Sequence, residues 1–520
     1  MGQASKLSPL LRAFVWSSFL VGTTARALPL FDPQGRALRQ FASEDGYLML
    51  TIARNLALGN GLSVELGTTA TNGTQPLMTG LYAGVFWLLG GDKVWGVLLV
   101  QLLGIAIALL GAFLIYRVGS FLFASDPNGP AVAIVAAAAW YVAPQGARYT
   151  QNCLETGTAA LIPLAVGLFC LQHKLGPNRA WPLRRCVELG ALLALAFWVR
   201  NDAVLLSAAV CSMLVLSALG IGAVPVGRRI AEAGCIGLTA LLIVSPWLIF
   251  NYFTFGHIVP VSGISQGAGT PLGENLARIP SILAEQISIV ALIPLDWETL
   301  PIVLLACSSL ILVWVALVYR ETRSVGRTQR YWLAVVGVWA GLLVGFYGLV
   351  YGAGYFMGRY LFPLSTWFAL LSAWLAYRLA EAIDLPRLNL MRGLALSFIL
   401  VLSVGLDVRV HLRGMNNGHF QVVEWVEEHV PDDVWVAAIQ TGTLGFFHDR
   451  TYNLDGKVSP PALEARLAGR TFEYILERPI QYLTDWAGIA AWLDDPQYSQ
   501  HFELLLLDEQ RDLAVLRRLE

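Results

Sequence analysis

The chain has 520 residues, 56% of them hydrophobic and only 14% charged, with a formal net charge of −1. An ordinary soluble domain carries roughly a quarter charged residues, so this balance belongs to a membrane protein. A near-zero charge with no basic stripe interleaved with exposed aromatics excludes nucleic acid as a partner.

Lys6 and Arg12 precede a first apolar stretch that Arg26 interrupts, with no small-residue cleavage site after it. This predicts an uncleaved first helix with its N-terminus in the cytoplasm. Ser43 is placed to cap a helix with Glu44 and Asp45 in its first turn and Leu48, Ile52 and Leu56 at helical spacing. Residues 77–90 are apolar but short, which suits a helix lying in the outer interface or dipping partway in. Further apolar stretches occupy 94–117, 130–144, 156–172, 186–199, 202–222, 231–252, 300–319, 331–351, 358–378 and 391–408. With the first helix they predict about eleven spans, several shorter than the roughly 20 residues of a perpendicular crossing.

Lysine and arginine gather in the loops at 174–185, 228–229, 320–330 and 378–392, which the positive-inside rule makes cytoplasmic. The segments 26–93, 145–155, 200–202, 253–299 and 352–357, with everything after 408, then lie outside. From 409 the pattern turns to soluble α/β character: an amphipathic helix near 418–430, strands VWVAAIQ and TYNLDG, a helical pair, IQYLTDW, and closing strands ELLLLDE and LAVLRRL. The expected domains are a polytopic α-helical membrane unit over 1–408 and a small three-layer α/β extracytoplasmic unit over 409–520. The six cysteines form no C-x-x-C pair and lie in or beside apolar segments, which argues against a metal or disulfide framework.

Polar groups are costly near lipid, so clusters at the outer ends of helices are where chemistry is sought. Glu44 and Asp45 serve either as dipole-compensating acids of a capped helix or as a rigidly held general base. Asn72, Thr74 and Gln75 in TNGTQPL suit a turn, or hydrogen bonds to sugar hydroxyls. The loop ARYTQNCLET holds Arg148 and Glu155, and such charges beside apolar spans usually have partners. Arg200, Asn201 and Asp202 separate two short apolar helices, where local ion pairing competes with ligand contact. Arg359 in GRYLFP either snorkels or neutralises a phosphate at headgroup depth, its planar fork matching phosphate oxygens. His257 and Ser262 in FGHIVPVSG, and Asp455 and Lys457 in NLDGK, are secondary candidates.

Taken in order and on one face, the acidic pair with Tyr47 and ARNLALGNGL, then TNGTQPL, NCLET, WVRNDA, FGHIVP, GRYLFP and NLDGKVSPPAL resemble a known family. It is the GT-C superfamily of polyprenyl-phosphate-sugar-dependent glycosyltransferases, which includes protein O-mannosyltransferases, lipid A aminoarabinose transferases and mycobacterial arabinofuranosyltransferases. The resemblance implies a multi-pass protein of the plasma or inner membrane that moves a sugar from a polyprenyl-phosphate donor to a hydroxyl of a glycan, lipid or protein acceptor on the extracytoplasmic face. It implies Asp45 as catalytic base with Glu44 as neighbour or substitute, Glu155 at the acidic position of the second outer loop, and Arg359 and Arg148 at the donor phosphate; Asn72, Gln75, Glu155 and His257 are the candidates for the sugar or acceptor. WVRNDA carries Asn201 where the family often has proline, which puts a shared role for Arg200 and Asp202 in doubt. Some relatives use a divalent metal; Glu44, Asp45 and Glu155 are able to hold one, although no spacing demands it.

Two other classes compete. A transporter or flippase of a lipid-linked or small polar substrate would also be polytopic, but such proteins commonly show internal repeats and mid-membrane polar sites. A structural or receptor component would place its working part in the soluble unit, which has no recognisable nucleotide loop or catalytic triad.

Overall fold

The computed structural model describes residues 8–221, 223–267, 271–288, 293, 297–352, 354–382, 388–413 and 418–519. Among the described residues, five helices are long and apolar enough to cross a membrane by length and composition: Lys93–Leu122, Asn201–Gly220, Val226–Phe255, Pro301–Thr322 and Arg327–Val350. A sixth crossing is available if Gly129–Val142 and Pro144–Thr150, bent by 66°, form one span. The bend has a local cause: Pro144 has no N–H to continue the ladder, and it drives Ala143 into the extended region at φ −62°, ψ 132°. Shorter or more polar helices, Pro9–Ala27, Thr156–Gln172, Leu183–Val199, Pro363–Ala382 and Leu388–Arg413, stand where the remaining spans were expected. The last of them runs through Arg413, beyond the expected boundary at 408.

Arg26, expected to interrupt the first run, instead lies in the last turn of its helix. There it is fully buried, donates to the Gly22 and Tyr141 carbonyls at 2.9 and 2.8 Å, and stacks over the Tyr141 ring. The segment expected at the interface forms the 13-residue helix Pro76–Leu88, whose Met78, Tyr82 and Phe86 pack on Tyr47 and Leu50 of helix Glu44–Ala57.

That second helix has a wider buried face than its spaced apolar positions mark. Of the spaced positions Leu48, Ile52 and Leu56, Ile52 is fully buried, Leu48 half-buried and Leu56 36% exposed, and the buried face extends to Tyr47, Leu50 and Ala53. The reason is a partner distant in sequence. Phe420, Phe446 and Phe447 from the C-terminal unit surround the Tyr47 ring, with centroids 6.0, 5.1 and 5.6 Å away.

Two short strands, β1 (Ser63–Val64) and β2 (Thr69–Ala70), pair antiparallel after helix Glu44–Ala57. The C-terminal sheet has five strands: β3 (Trp435–Ala438), β4 (Thr451–Asn453), β5 (Ile480–Asp485), β6 (Phe502–Asp508) and β7 (Leu513–Arg518), in the order β4-β3-β5-β7-β6. β3 runs parallel to β4 and β5; the two closing strands are antiparallel. Alternation along β3 sorts its side chains to two faces. Val436 and Ala438 pack with Val422, Val423 and Val426 of helix Phe420–His429, whereas Ala437 packs with Ala462 and Ile475 of the helical pair. The result is the expected three-layer arrangement.

The C-terminal unit docks on the helical body through charge as well as aromatic contact. The Glu44 carboxylate accepts hydrogen bonds from the backbone N–H groups of Gly442 and Thr443 and from the Thr443 hydroxyl, the Thr443 N–H at 3.0 Å. A Cβ at Gly442 would overlap the Glu44 carbonyl oxygen, so only glycine permits this approach. Buried Glu65 accepts from the Asn453 N–H at 3.1 Å, and Arg54 and Lys93 both reach Asp449 at 3.0 Å. Replacing Glu44 by Ala leaves two backbone donors without their acceptor, a loss of about 2–4 kcal/mol. Glu44→Ala should therefore unfold at lower temperature in detergent and release the C-terminal unit to protease sooner than wild type, with Glu44→Gln milder.

Candidate active site

Asp45 is presented by the first turn of helix Glu44–Ala57. Ser43 caps that helix, accepting from the Gly46 N–H at 3.1 Å, and its own hydroxyl donates to the Asn152 carbonyl at 3.1 Å. The turn is thus pinned to the loop before helix Thr156–Gln172. Adjacent residues on a helix point in different directions. Glu44 turns to the C-terminal unit, and Asp45 turns toward Arg359.

Arg359 sits on the short helix Met357–Leu361, just before Pro363 opens the next helix. Its guanidinium donates to Asp45 Oδ2 at 2.8 Å and to the Tyr360 hydroxyl at 3.2 Å. The other Asp45 oxygen, Oδ1, lies 3.9 Å from Lys457 Nζ, which is also 3.3 Å from Asp455. Burial alone would push the Asp45 carboxyl up. The charges of Arg359 and then Lys457, with the Arg359 hydrogen bond, outweigh it and hold the group below its ordinary range. Burial works against the Lys457 ammonium in the same way, and Asp45 and Asp455 reverse it, so that lysine is held charged.

The pair lines two cavities. One, of about 290 Å³, is walled by Asp45, Gln75, Glu155, Arg200, Tyr347 and Lys457 among others. The second, of about 330 Å³, is lined by Glu44, Asp45, Arg148, Tyr149, Arg359 and His419 among others. Asp45 and Arg359 belong to both.

The back wall of the first cavity is a buried polar network. Arg200 pairs with Asp202 at 2.8 Å and stands 3.9 Å from Glu155, and it donates to the Tyr347 hydroxyl at 3.0 Å. Tyr347 donates in turn to Asp202 at 2.7 Å and stacks on Tyr360, centroids 4.4 Å apart. Tyr351 and Tyr360 both donate to Gln266, at 3.0 and 2.9 Å. Most of its polar atoms are paired, which matters because unpaired polar atoms are costly at low dielectric; Arg200 Nη1 is buried without a hydrogen-bond partner among the described residues.

The structure gathers some expected residues and not others. Asp45, Gln75, Glu155 and Arg359 line the first cavity, and Arg148 lines the second. Glu44, expected beside or in place of the base, spends its carboxylate on Gly442 and Thr443. Asn72 is fully buried and outside both cavity walls, and its side-chain oxygen accepts from the Val261 N–H at 2.9 Å. His257 is exposed and outside both cavity walls, although the nearby Ser262 belongs to one. The tyrosines and Gln266 are absent from the sequence expectations. Their one signal was a hydroxyl inside an apolar run, which needs a partner when buried.

Glu44, Asp45 and Glu155 do not form a ligand set: Glu44 is turned away, and the other two face arginines. Among the described residues no three histidine, cysteine or carboxylate side chains gather to hold a metal ion.

No protein-family model matches the chain, and no curated protein does. Solved structures do. ArnT from Cupriavidus metallidurans, bound to undecaprenyl phosphate, superposes with a TM-score of 0.60 over 96% of this chain and 97% of its own, at 12% identity. The archaeal oligosaccharyltransferase AglB from Archaeoglobus fulgidus, in complex with an inhibitory peptide and a dolichol-phosphate, gives 0.57 over 93% of this chain and 70% of its own, again at 12% identity. Over nearly its whole length the chain therefore shares the fold of these two proteins.

Proposed function

We propose that this protein is a membrane glycosyltransferase that moves a sugar from a polyprenyl-phosphate donor to an acceptor hydroxyl, with Asp45 as general base and Arg359 at the donor phosphate. The observation that carries this reading is the 2.8 Å contact between Asp45 and Arg359 at the junction of two cavities. A proton acceptor and a phosphate-matching cation stand side by side, with room on either side for two substrates. The fold shared with a protein crystallised with undecaprenyl phosphate supports the donor class.

In the proposed reaction the acceptor oxygen attacks the anomeric carbon while Asp45 takes its proton, and the sugar–phosphate bond breaks. The polyprenyl phosphate leaves as an anion, so stabilising its charge matters more than protonating it. The buried wall of Arg200, Asp202 and Tyr347 holds the cavity's shape behind the reacting atoms. In this reading all eleven apolar helices cross the membrane, and the cavities and the C-terminal unit lie on its extracytoplasmic side.

Asp45→Asn keeps size and removes basicity. It should still insert and bind donor, and it should lose on the order of 10²-fold or more in sugar transfer, measured with a radiolabelled lipid donor. Normal turnover in Asp45→Asn would end the assignment. Arg359→Lys retains charge without the bidentate fork, so it should only partly restore the donor use lost in Arg359→Ala. Orientation has its own test: a C-terminal reporter enzyme active only after export should be active, and activity of a cytoplasm-only reporter would reverse the topology.

A further inference from the structure

The cavity that holds Asp45 is not completed by the apolar helices. Lys457 and Val458, from the C-terminal unit, form part of its wall. The turn that delivers Lys457 is rigid for reasons written in Asn453-Leu454-Asp455-Gly456. The Asn453 side chain accepts from the Gly456 N–H at 2.9 Å, and the Asp455 side chain accepts from the Lys457 N–H at 2.8 Å. Gly456 has φ +72°, and a Cβ there would stand 2.6 Å from Leu463 Cα. Only glycine closes this turn. Two neighbours clamp it from outside: a Cβ at Gly73 would collide with the Lys457 carbonyl at 2.5 Å, and the Ser265 hydroxyl donates to the Asp455 carbonyl at 3.3 Å. The backbone is fixed, while the lysine has a flexible four-carbon stem.

We propose that Lys457 is a second cation for the donor phosphate, supplied by the C-terminal unit, and that it passes from Asp45 to the departing phosphate as the sugar is transferred. This inference rests on the donor reading given above. Its ground is the shared carboxylate: Arg359 holds one oxygen of Asp45 and Lys457 faces the other, so a phosphate within reach of Arg359 beside the base lies next to Lys457 as well.

The charges balance through the step. Before transfer Asp45 is an anion and the donor phosphodiester carries one negative charge. The acceptor proton moves to Asp45, the new glycosidic bond forms, the bond from anomeric carbon to phosphate oxygen breaks with its electron pair on that oxygen, and the phosphate gains a second negative charge. One negative charge thus leaves Asp45 and one appears on the phosphate. Two cations poised between the two sites serve both states without any net charge entering a low-dielectric cavity, which is preorganised stabilisation of the transition state. It also explains how a carboxylate whose proton affinity these cations lower becomes a base: once the phosphate draws the cations, the proton affinity of Asp45 rises.

The test uses the full chain in lipid nanodiscs and two probes, undecaprenyl phosphate and undecaprenol, which share the chain and differ in the phosphate. Wild type should prefer the phosphate. Lys457→Met should lose about 10- to 100-fold in affinity for undecaprenyl phosphate, the scale of one charge-assisted hydrogen bond, with undecaprenol unaffected. Lys457→Arg should recover most of that loss. Asp455→Asn, which keeps the turn and removes the competing carboxylate, should bind undecaprenyl phosphate at least as tightly as wild type. Unchanged phosphate affinity in a Lys457→Met protein that unfolds at the wild-type temperature would overturn the proposal, as would an equal loss for both probes or a matching loss in Asp455→Asn. Failure of wild type itself to distinguish the probes would instead remove the donor reading on which the proposal rests.

Discussion

Two neighbouring carboxylates at the start of one helix must each be satisfied, and because consecutive helical positions diverge they cannot share a partner. Glu44 is met by backbone N–H groups of the C-terminal unit, Asp45 by an arginine before the helix Pro363–Ala382. This divergence ties three distant parts of the chain to a single turn. The loop at Asn152 fixes the turn's height, the C-terminal unit fixes its outer side, and Arg359 fixes its inner side.

The scaffold beneath is graded from tight to loose. Helix Gly129–Val142 buries Ala133, Ala136, Ala137 and Ala138, and a Cβ on Gly119 would run into Ala133, so backbones approach closely, as small residues allow between apolar helices. At the periphery, Pro301–Thr322 and Val226–Phe255 leave Ile302 76% and Phe253 81% exposed, surfaces suited to lipid tails. The polar network of Arg200, Asp202, Glu155 and Tyr347 stands on the packed inner helices rather than on the peripheral ones. A site that must hold charges within tenths of an ångström is served by that placement.

Much of this was legible in the residues. The apolar runs marked helices, the period-two strands after residue 430 marked the sheet, and the short 77–90 segment was readable as a helix too brief to cross. The buried face of helix Glu44–Ala57 was legible only in part, because helix Pro76–Leu88 and residues nearly four hundred positions later share in covering it. The same holds for Asn72. Its amide looked available for a sugar, and only the fold shows the amide oxygen engaged by the backbone of Val261. Local pattern reports which groups a segment offers. It does not report which of them the rest of the chain has already taken.

The order in which the cavity's walls occur along the chain has a consequence for biosynthesis. Asp45 emerges early from the ribosome, Arg200 and Tyr347 follow over some three hundred residues, and Lys457 and Val458 appear only after every apolar helix has been made. A nascent chain stalled at any apolar helix after Asp45 has that residue but lacks the wall that closes around it, and it lacks the groups that satisfy Glu44. Such a chain leaves the Glu44 carboxylate without its backbone donors and the Tyr47 ring without its neighbours from the C-terminal unit. Completion of the pocket therefore waits on the segment made after the apolar helices.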